Sequence, residues 1–203
     1  MRKKISAAII GSGAACLSLV PTGSAGSHGY TDAPTSRQVL CAQGTVQDCG
    51  EIRWEPQSVE GPKGFPSRGP ADGTLCAGGN SRFAELDDSR GGNWPATTVT
   101  GGQSYSFRWK LTARHATTDF RYYLTNSHYD PTRPLTRSDL EPQPFLTVPY
   151  NGRVPDATVT HQGKLPGDRT GKQLIFAVWT IADTGNAFYA CSDVRFLKPG
   201  RTG

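Results

Sequence analysis

Short runs in which apolar and polar residues alternate dominate the second half of the chain. In the segment 104–111 every second side chain is apolar, a period of two that predicts a strand with one buried face. The segment 174–181 is apolar at both parities, which is typical of a central strand covered on both faces. Further short strands are predicted at 120–124, 145–148, 158–161 and 188–196. The pattern predicts an all-β fold, an antiparallel β-sandwich of the immunoglobulin or fibronectin III kind.

Two other segments complete this prediction. Residues 96–100 are followed by Gly101 and Gly102, so we expect them to form a hairpin with the strand at 104–111. Residues 49–93 are rich in glycine, proline and charge, with only a turn or two of helix expected at 83–88. A loop of this length inside a compact domain is usually functional. We therefore expect a long, partly helical loop insertion that carries the recognition surface.

Residues 1–27 have the layout of a secretory signal peptide. Residues 2–4 are basic, residues 5–20 are mostly apolar, and small residues stand at 25–27. The apolar run is too short and too rich in small residues to span a membrane. Cleavage after Ser27 would leave one secreted, extracellular domain, residues 28–203. A lipoprotein signal at Cys16 is the alternative, although the residues before it lack the large aliphatic side chain that such signals usually carry.

Charge and cysteine content narrow the class further. The chain carries a net charge of +5, to which residues 2–4 contribute, and its basic residues are scattered, which argues against a nucleic-acid-binding surface. Cys41, Cys49, Cys76 and Cys191 remain after the leader, a set suited to two disulfides in an oxidising compartment. Three pairings are possible; the short loop favours Cys41 with Cys49, which leaves Cys76 with Cys191. A zinc site is the competing interpretation, but the chain has no CxxC pair.

His28 and His115 are the candidate metal ligands. A histidine at a new N-terminus offers an α-amine and an imidazole to one ion, and His115 follows the end of the strand at 104–111, where a loop can present it. Two imidazoles and one amine form a nitrogen set that suits copper. Because the amine must lose a proton, metal binding is expected to weaken as pH falls. The alternatives are an ordinary terminus at His28 and a polar loop residue at His115.

Four segments of the chain together resemble the bacterial lytic polysaccharide monooxygenases of auxiliary activity family 10, formerly called family 33 chitin-binding proteins. They are His28-Gly29-Tyr30, 54–61 (WEPQSVEG), Ala113-Arg114-His115 and 179–189 (WTIADTGNAFY). Each alone is weak, but the ordered set is specific and covers essentially all of residues 28–203. The resemblance implies a copper-binding histidine brace, made by the amine and Nδ1 of His28 and by Nε2 of His115.

The resemblance also implies roles for residues around the metal. Phe188 would occupy an axial position, Ala113 would limit the approach of solvent or oxygen, and the Glu60 carboxylate would position an oxygen species or relay a proton. Core packing of Phe188 and Ala113, and an exposed loop charge at Glu60, are the alternatives. A flat substrate-binding surface would comprise Trp54, Glu55, Pro56, Gln57, Thr112, Asp183 and Asn186. Trp54 stands where the family often carries Tyr, and Asp183 could instead brace the turn before Phe188.

The implied activity is copper-dependent oxidation of crystalline chitin at C1, which leaves aldonic acid ends. It needs one copper ion, an external reductant, and O2 or H2O2 as co-substrate. The preference for chitin over cellulose rests on 54–61 and on the following residues 63–66. We expect a monomer without nucleic-acid or membrane partners, acting in synergy with chitinases. The alternatives are a non-catalytic carbohydrate-binding protein, a glycoside hydrolase using Glu60 and Asp183, and an immunoglobulin-like structural protein.

Overall fold

Nine strands, one short α-helix and four 3-10 helices make up the part of the chain that the computed structural model describes, residues 28–197. The predicted signal peptide, residues 1–27, lies outside the described residues. The strands are β1 (His28–Ala33), β2 (Glu60–Pro62), β3 (Thr97–Thr100), β4 (Ser104–Ala113), β5 (Thr117–Leu124), β6 (Leu146–Pro149), β7 (Thr158–Lys164), β8 (Gly171–Ile181) and β9 (Asn186–Leu197). The helix α1 spans Arg37–Ala42, and the 3-10 helices span Gly50–Arg53, Ser81–Leu86, Arg90–Gly92 and Arg137–Asp139.

Two sheets stack as the predicted β-sandwich. One sheet has the order β1-β4-β7, and the other has the order β2-β9-β8-β5-β6. Pairing along both orders is antiparallel, so the predicted fold class is confirmed. Among residues 28–197, no helix has the length and apolar character needed to cross a membrane.

The predicted hairpin between the segment 96–100 and β4 is wrong. The strand at that place, β3, lies parallel to β9 in the other sheet, with Thr97 opposite Val194. The two glycines do form a turn, in which Gly102 has a φ of +76° and donates its N–H to the carbonyl of Leu165. A tight turn predicts that the chain changes direction, but not which sheet each arm joins. Here the open edge of β9 accepts the first arm.

The core consists of two apolar clusters on opposite faces of β8. Alternate residues Ile175, Ala177 and Trp179 join the cluster between the two sheets, together with the buried face of β4. The intervening residues Leu174, Phe176 and Val178 join a second cluster, formed with the residues of the insertion. Both the predicted alternation of β4 and the predicted double burial of β8 are therefore confirmed.

The insertion is better ordered than its composition predicted. It contains β2 and three 3-10 helices, and the helical turn expected at 83–88 is found at Ser81–Leu86. The helix α1, which precedes the insertion, was not predicted. The disulfides pair Cys41 with Cys49 and Cys76 with Cys191, so the second one ties the insertion to β9.

A buried ion pair fastens α1 to the same strand. Arg37 Nε lies 2.7 Å from Asp193 Oδ2, and Arg37 Nη1 donates to the carbonyl of Leu86 over 2.8 Å. The carboxylate of Asp87 accepts the backbone N–H groups of Cys76 and Ala77. Buried charges are tolerated when they are paired and hydrogen-bonded, and here they join the insertion to the second sheet.

Candidate metal centre and the surrounding face

Strand β1 places His28 at the end of β4. His28 lies opposite Ala113 in the antiparallel pair, and the next residue, Gly29, donates its N–H to the carbonyl of Gln57 over 3.0 Å. A Cβ atom at Gly29 would lie 2.8 Å from Leu111 Cδ2 and 3.1 Å from both the carbonyl oxygen of Lys110 and the ring of Trp179, so the close approach of β1 to β4 favours glycine here. The first histidine is therefore held by one strand and by the loop that follows Gly50–Arg53.

His115 lies in the short connection between β4 and β5. Its Nδ1 is 2.7 Å from Oδ1 of Asp183, which stands in the turn between β8 and β9. Because a carboxylate only accepts, Nδ1 carries the hydrogen, and in the neutral form of this ring the lone pair is on Nε2. The side chain of His115 is 19% exposed and that of Asp183 is 53% exposed. The pair lies just beyond the ends of β4 and β8, and this end of the sandwich is called the rim.

Phe188 joins this rim to the core. Its side chain is fully buried, its ring centroid lies 6.3 Å from that of His28, and it is 5.1 Å from that of Trp179. Core packing is therefore one role of Phe188, and closeness to His28 is a second property of the same ring.

Glu60 reaches the same rim through β2. It is opposite Phe188 in the β2–β9 pair, and the side-chain amide of Asn186 donates to Glu60 Oε1 over 2.7 Å. The half-buried carboxylate thus has one oxygen fixed by a neighbouring strand. Glu60 therefore differs from the alternative of an exposed loop charge, because it lies in a strand and is half-buried.

The remaining predicted surface residues lie on two segments beside His28. Thr112 is exposed on β4, and its Oγ1 lies 3.5 Å from the carbonyl oxygen of His28. Glu55, Pro56 and Gln57 are half-buried in the loop that contacts Gly29, and Trp54 at its start is 76% exposed. An exposed Trp ring offers a flat apolar surface on which a sugar ring can stack.

Two arginines of this face were not identified from the sequence. The guanidinium of Arg53 lies 4.5 Å from the centre of the Trp54 ring. Arg82, on Ser81–Leu86, forms ion pairs with both Glu55 and Glu51. Only the charge signs in the sequence point to such pairs, and the partners are 27 and 31 residues apart. Glu55 is therefore engaged by a cation of the insertion.

The predicted metal site at this rim combines side-chain nitrogens with a backbone amine. Within residues 28–197, no group of three or more His, Cys, Asp or Glu side chains is placed to hold a metal ion. The predicted ligands are the two imidazoles of His28 and His115, which would supply two nitrogen donors, and the α-amine created by cleavage before His28, which would supply the third. That all-nitrogen set fits copper, which binds such donors more tightly than the other divalent first-row metals do.

Comparison with known proteins gives the family of the chain. Residues 28–194 match the family described as "Lytic polysaccharide mono-oxygenase, cellulose-degrading". The chain is 45% identical over 175 residues to the lytic chitin monooxygenase of Streptomyces ambofaciens. The aligned region covers 86% of this chain and 85% of that protein. Several other curated relatives are longer proteins, of which the chain spans 52% or less.

Solved structures give the same result. A lytic polysaccharide monooxygenase of auxiliary activity family 10 from Streptomyces lividans is 60% identical, with a TM-score of 0.82 over 83% of this chain and 100% of that chain. A family 33 carbohydrate-binding module from Bacillus amyloliquefaciens, solved in complex with Cu(I), is 37% identical, with a TM-score of 0.77 over 84% of this chain and 100% of that chain. These matches show that the chain belongs to the lytic polysaccharide monooxygenases of auxiliary activity family 10.

Proposed function

We propose that residues 28–203 form a single secreted copper monooxygenase domain that oxidises crystalline chitin at C1 and leaves aldonic acid ends. The observation that carries the proposal is the strand pairing that places His28 beside the end of β4, the strand that leads to His115. His28 begins β1 opposite Ala113, and His115, two residues beyond Ala113, is oriented by Asp183. Removal of residues 1–27 would complete the site by creating the amine of His28.

The residues of this rim fit a copper ion. His28 would hold it through its amine and Nδ1, and His115 would hold it through Nε2, the nitrogen that carries the lone pair when Nδ1 donates to Asp183. Bound copper, reduced by an external donor, would supply the one-electron chemistry with O2 or H2O2 that oxidises the sugar. Imidazole and amine nitrogens are donors that suit copper.

Each neighbouring residue has a task set by its contacts. Asp183 fixes the tautomer and the ring orientation of His115. Asn186 fixes one oxygen of Glu60, so that the carboxylate is held in one orientation from which it can accept or return a proton. The buried ring of Phe188, 6.3 Å from that of His28, would exclude a strong ligand on its side, and the methyl group of Ala113, which is opposite His28, would limit the space on the β4 side.

The face around the histidines suits a flat solid more than a single soluble chain. Trp54 would stack on a sugar ring, while polar groups of Glu55, Gln57, Thr112 and Asn186 would bind hydroxyl and amide groups. Pro56 would keep the loop rigid between them. The Streptomyces ambofaciens relative is named for chitin, which supports chitin over cellulose. We propose a monomer whose new chain ends are then used by chitinases.

Mass spectrometry of the soluble products tests this function. The protein is secreted with its own leader, its N-terminus is checked to be His28, and it is incubated with β-chitin, copper and ascorbate. Copper-dependent aldonic acid oligosaccharides are expected, and cellulose is assayed in parallel.

Two matched controls separate the candidate functions. A His115→Ala variant removes one imidazole, and a variant with one extra residue before His28 removes the amine without touching a side chain. Both are expected to fold and to release no oxidised products. Chitin binding without oxidised products from the wild-type protein would favour the non-catalytic binding protein instead, and unoxidised soluble oligosaccharides would favour a hydrolase.

A further inference from the structure

Lys63 makes an unusual set of contacts with the turn between β8 and β9. Its ammonium group donates to the carbonyl of Ile181 over 3.2 Å and to the carbonyl of Thr184. Its backbone N–H donates to the carbonyl of Gly185 over 3.0 Å. One residue therefore binds three carbonyl groups within five consecutive positions. Hydrogen bonds from a charged donor are stronger than those between neutral groups.

The turn that Lys63 binds carries two residues of the rim. Asp183 lies within it and accepts from His115, and Asn186 follows it and donates to Glu60. Lys63 itself comes directly after β2, the strand that carries Glu60. The lysine thus joins β2 to the β8–β9 turn, from which Asp183 reaches His115.

We propose that Lys63 is a positioning residue of the metal centre, acting through the β8–β9 turn on Asp183 and thereby on the His115 ring. This inference rests on the proposed function in taking His115 as a metal ligand and copper as the ion that it holds. Without the ammonium group, the carbonyls of Ile181 and Thr184 turn toward water, and the turn adopts other conformations. The Asp183 carboxylate then no longer holds the hydrogen of His115 on Nδ1.

The chain offers a matched control in Lys172. Its ammonium group also donates to two backbone carbonyls, those of Gly92 and Trp94, and it is half-buried like Lys63. It stands at the start of β8, whereas the Lys63 contacts are at the end of that 11-residue strand, roughly 30 Å away at the rise of a β-strand. If substitution of a buried lysine merely loosens a loop, both variants should lose stability. Of these two lysines, only Lys63 contacts the turn that carries Asp183.

The test compares Lys63→Met with Lys172→Met in the secreted protein. Nitrogen-15 NMR of the metal-free protein reports which nitrogen of the His115 ring carries hydrogen. Lys63→Met is expected to move part of the population from the Nδ1–H to the Nε2–H tautomer. It is also expected to weaken Cu(II) binding roughly three- to tenfold and to change the Cu(II) electron paramagnetic resonance spectrum. Lys172→Met is expected to change none of these properties. Lys63→Arg keeps the charge and several hydrogen-bond donors, so it is expected to retain part of the wild-type copper affinity and tautomer population.

The two possible failures are distinguishable. If Lys63→Met lowers only the melting temperature, as Lys172→Met does, and the His115 signals and the copper affinity stay as in the wild type, the positioning role is wrong. If the wild type releases no oxidised products, but the His115 tautomer still differs between the wild type and Lys63→Met, the proposed function fails and the positioning role stands.

Discussion

His115 at the rim of the sandwich and His161 in its interior have different surroundings. The comparison of their rings shows how the environment of a histidine determines its role. At the rim, His115 binds a carboxylate from a different turn and is partly exposed. In the interior, His161 lies 2.7 Å through its Nδ1 from the hydroxyl of Tyr122, is 5% exposed, and packs on the Phe120 ring. Burial lowers the pKa of His161 to about 4, so that ring is neutral at physiological pH.

The difference teaches that the two regions have separable properties. The interior cluster stabilises the fold, because its aromatic rings fill the space between the sheets. The same burial disfavours the charged form of His161. At the rim, polar side chains are paired by hydrogen bonds, His115 with Asp183 and Glu60 with Asn186. These hydrogen bonds orient polar atoms that remain outside the core. Substitutions in the interior should therefore change stability, and those at the rim should change metal and substrate binding.

The largest effect that this separation predicts comes from the disulfides. Replacing Cys76 and Cys191 by Ala opens a loop with a sequence separation of 115, and is expected to lower the free energy of unfolding by about 4–5 kcal/mol. Opening the Cys41–Cys49 loop, with a separation of 8, is expected to cost about 2–3 kcal/mol. Denaturant unfolding measures both values. Copper affinity at 20 °C, well below unfolding, should stay within about twofold; a large loss would show that rim and interior are coupled.

The interior histidine gives a pH-dependent effect. In the unfolded chain histidine titrates near pH 6.5, and in the folded chain His161 titrates at about 4. Between these values the unfolded chain binds a proton that the folded chain does not bind, so stability falls as pH drops from 6.5 to 4, by about 3 kcal/mol at most. Denaturant unfolding at several pH values should show that His161→Gln lacks this component. The exposed His128→Gln variant should retain it, and an unchanged pH dependence in His161→Gln would contradict the assignment.

At the rim, Asp183→Asn keeps the shape of the side chain and removes its charge. Weaker support of the His115 ring is expected to lower Cu(II) affinity about 10- to 100-fold, with little change in melting temperature. Isothermal titration calorimetry measures the affinity. Asp156→Asn, which removes the same charge from another exposed position, is the control and should bind copper as the wild type does. Equal affinities in both variants would leave Asp183 as a brace of its turn only.

The smallest effect concerns the exposed end of the rim. Trp54→Ala is expected to weaken binding to β-chitin roughly three- to tenfold, because the stacking surface of the indole is lost. Arg53→Met, which removes the cation beside the ring, should weaken it less. Binding isotherms on the solid measure both, and copper affinity should be unchanged in each. A Trp54→Ala variant that binds chitin normally would remove this residue from the binding face.

Particular elements show what the chain pattern could predict. The buried face of β4 and the double burial of β8 follow from local periodicity, and both predictions are confirmed. The segment 96–100 was predicted to be a strand and assigned to the wrong sheet, because local pattern does not specify which open edge a strand joins. The helix α1 escaped prediction, since its six residues are too few for a helical period to stand out.

The rim shows the same division. Motif order and residue type selected His28, His115, Glu60 and Asn186 from the sequence. The contacts of His115 with Asp183 and of Glu60 with Asn186 were not predicted, and neither were the contacts of Lys63, Arg53 and Arg82. Such contacts join turns and strands that are far apart in the chain, and single charged or polar residues carry no periodic signal.

By itself, the sequence determined the fold class, the family and the residue types of the rim, because strand periodicity and ordered motifs are local properties of the chain. Only the tertiary structure decided that His115 meets Asp183 across 68 positions, that Asn186 meets Glu60 across 126, and that Lys63 holds the turn between them. It also decided that His161 is an interior residue. Each of these outcomes depends on which strands lie side by side, and burial and pairing across the sheets set that arrangement.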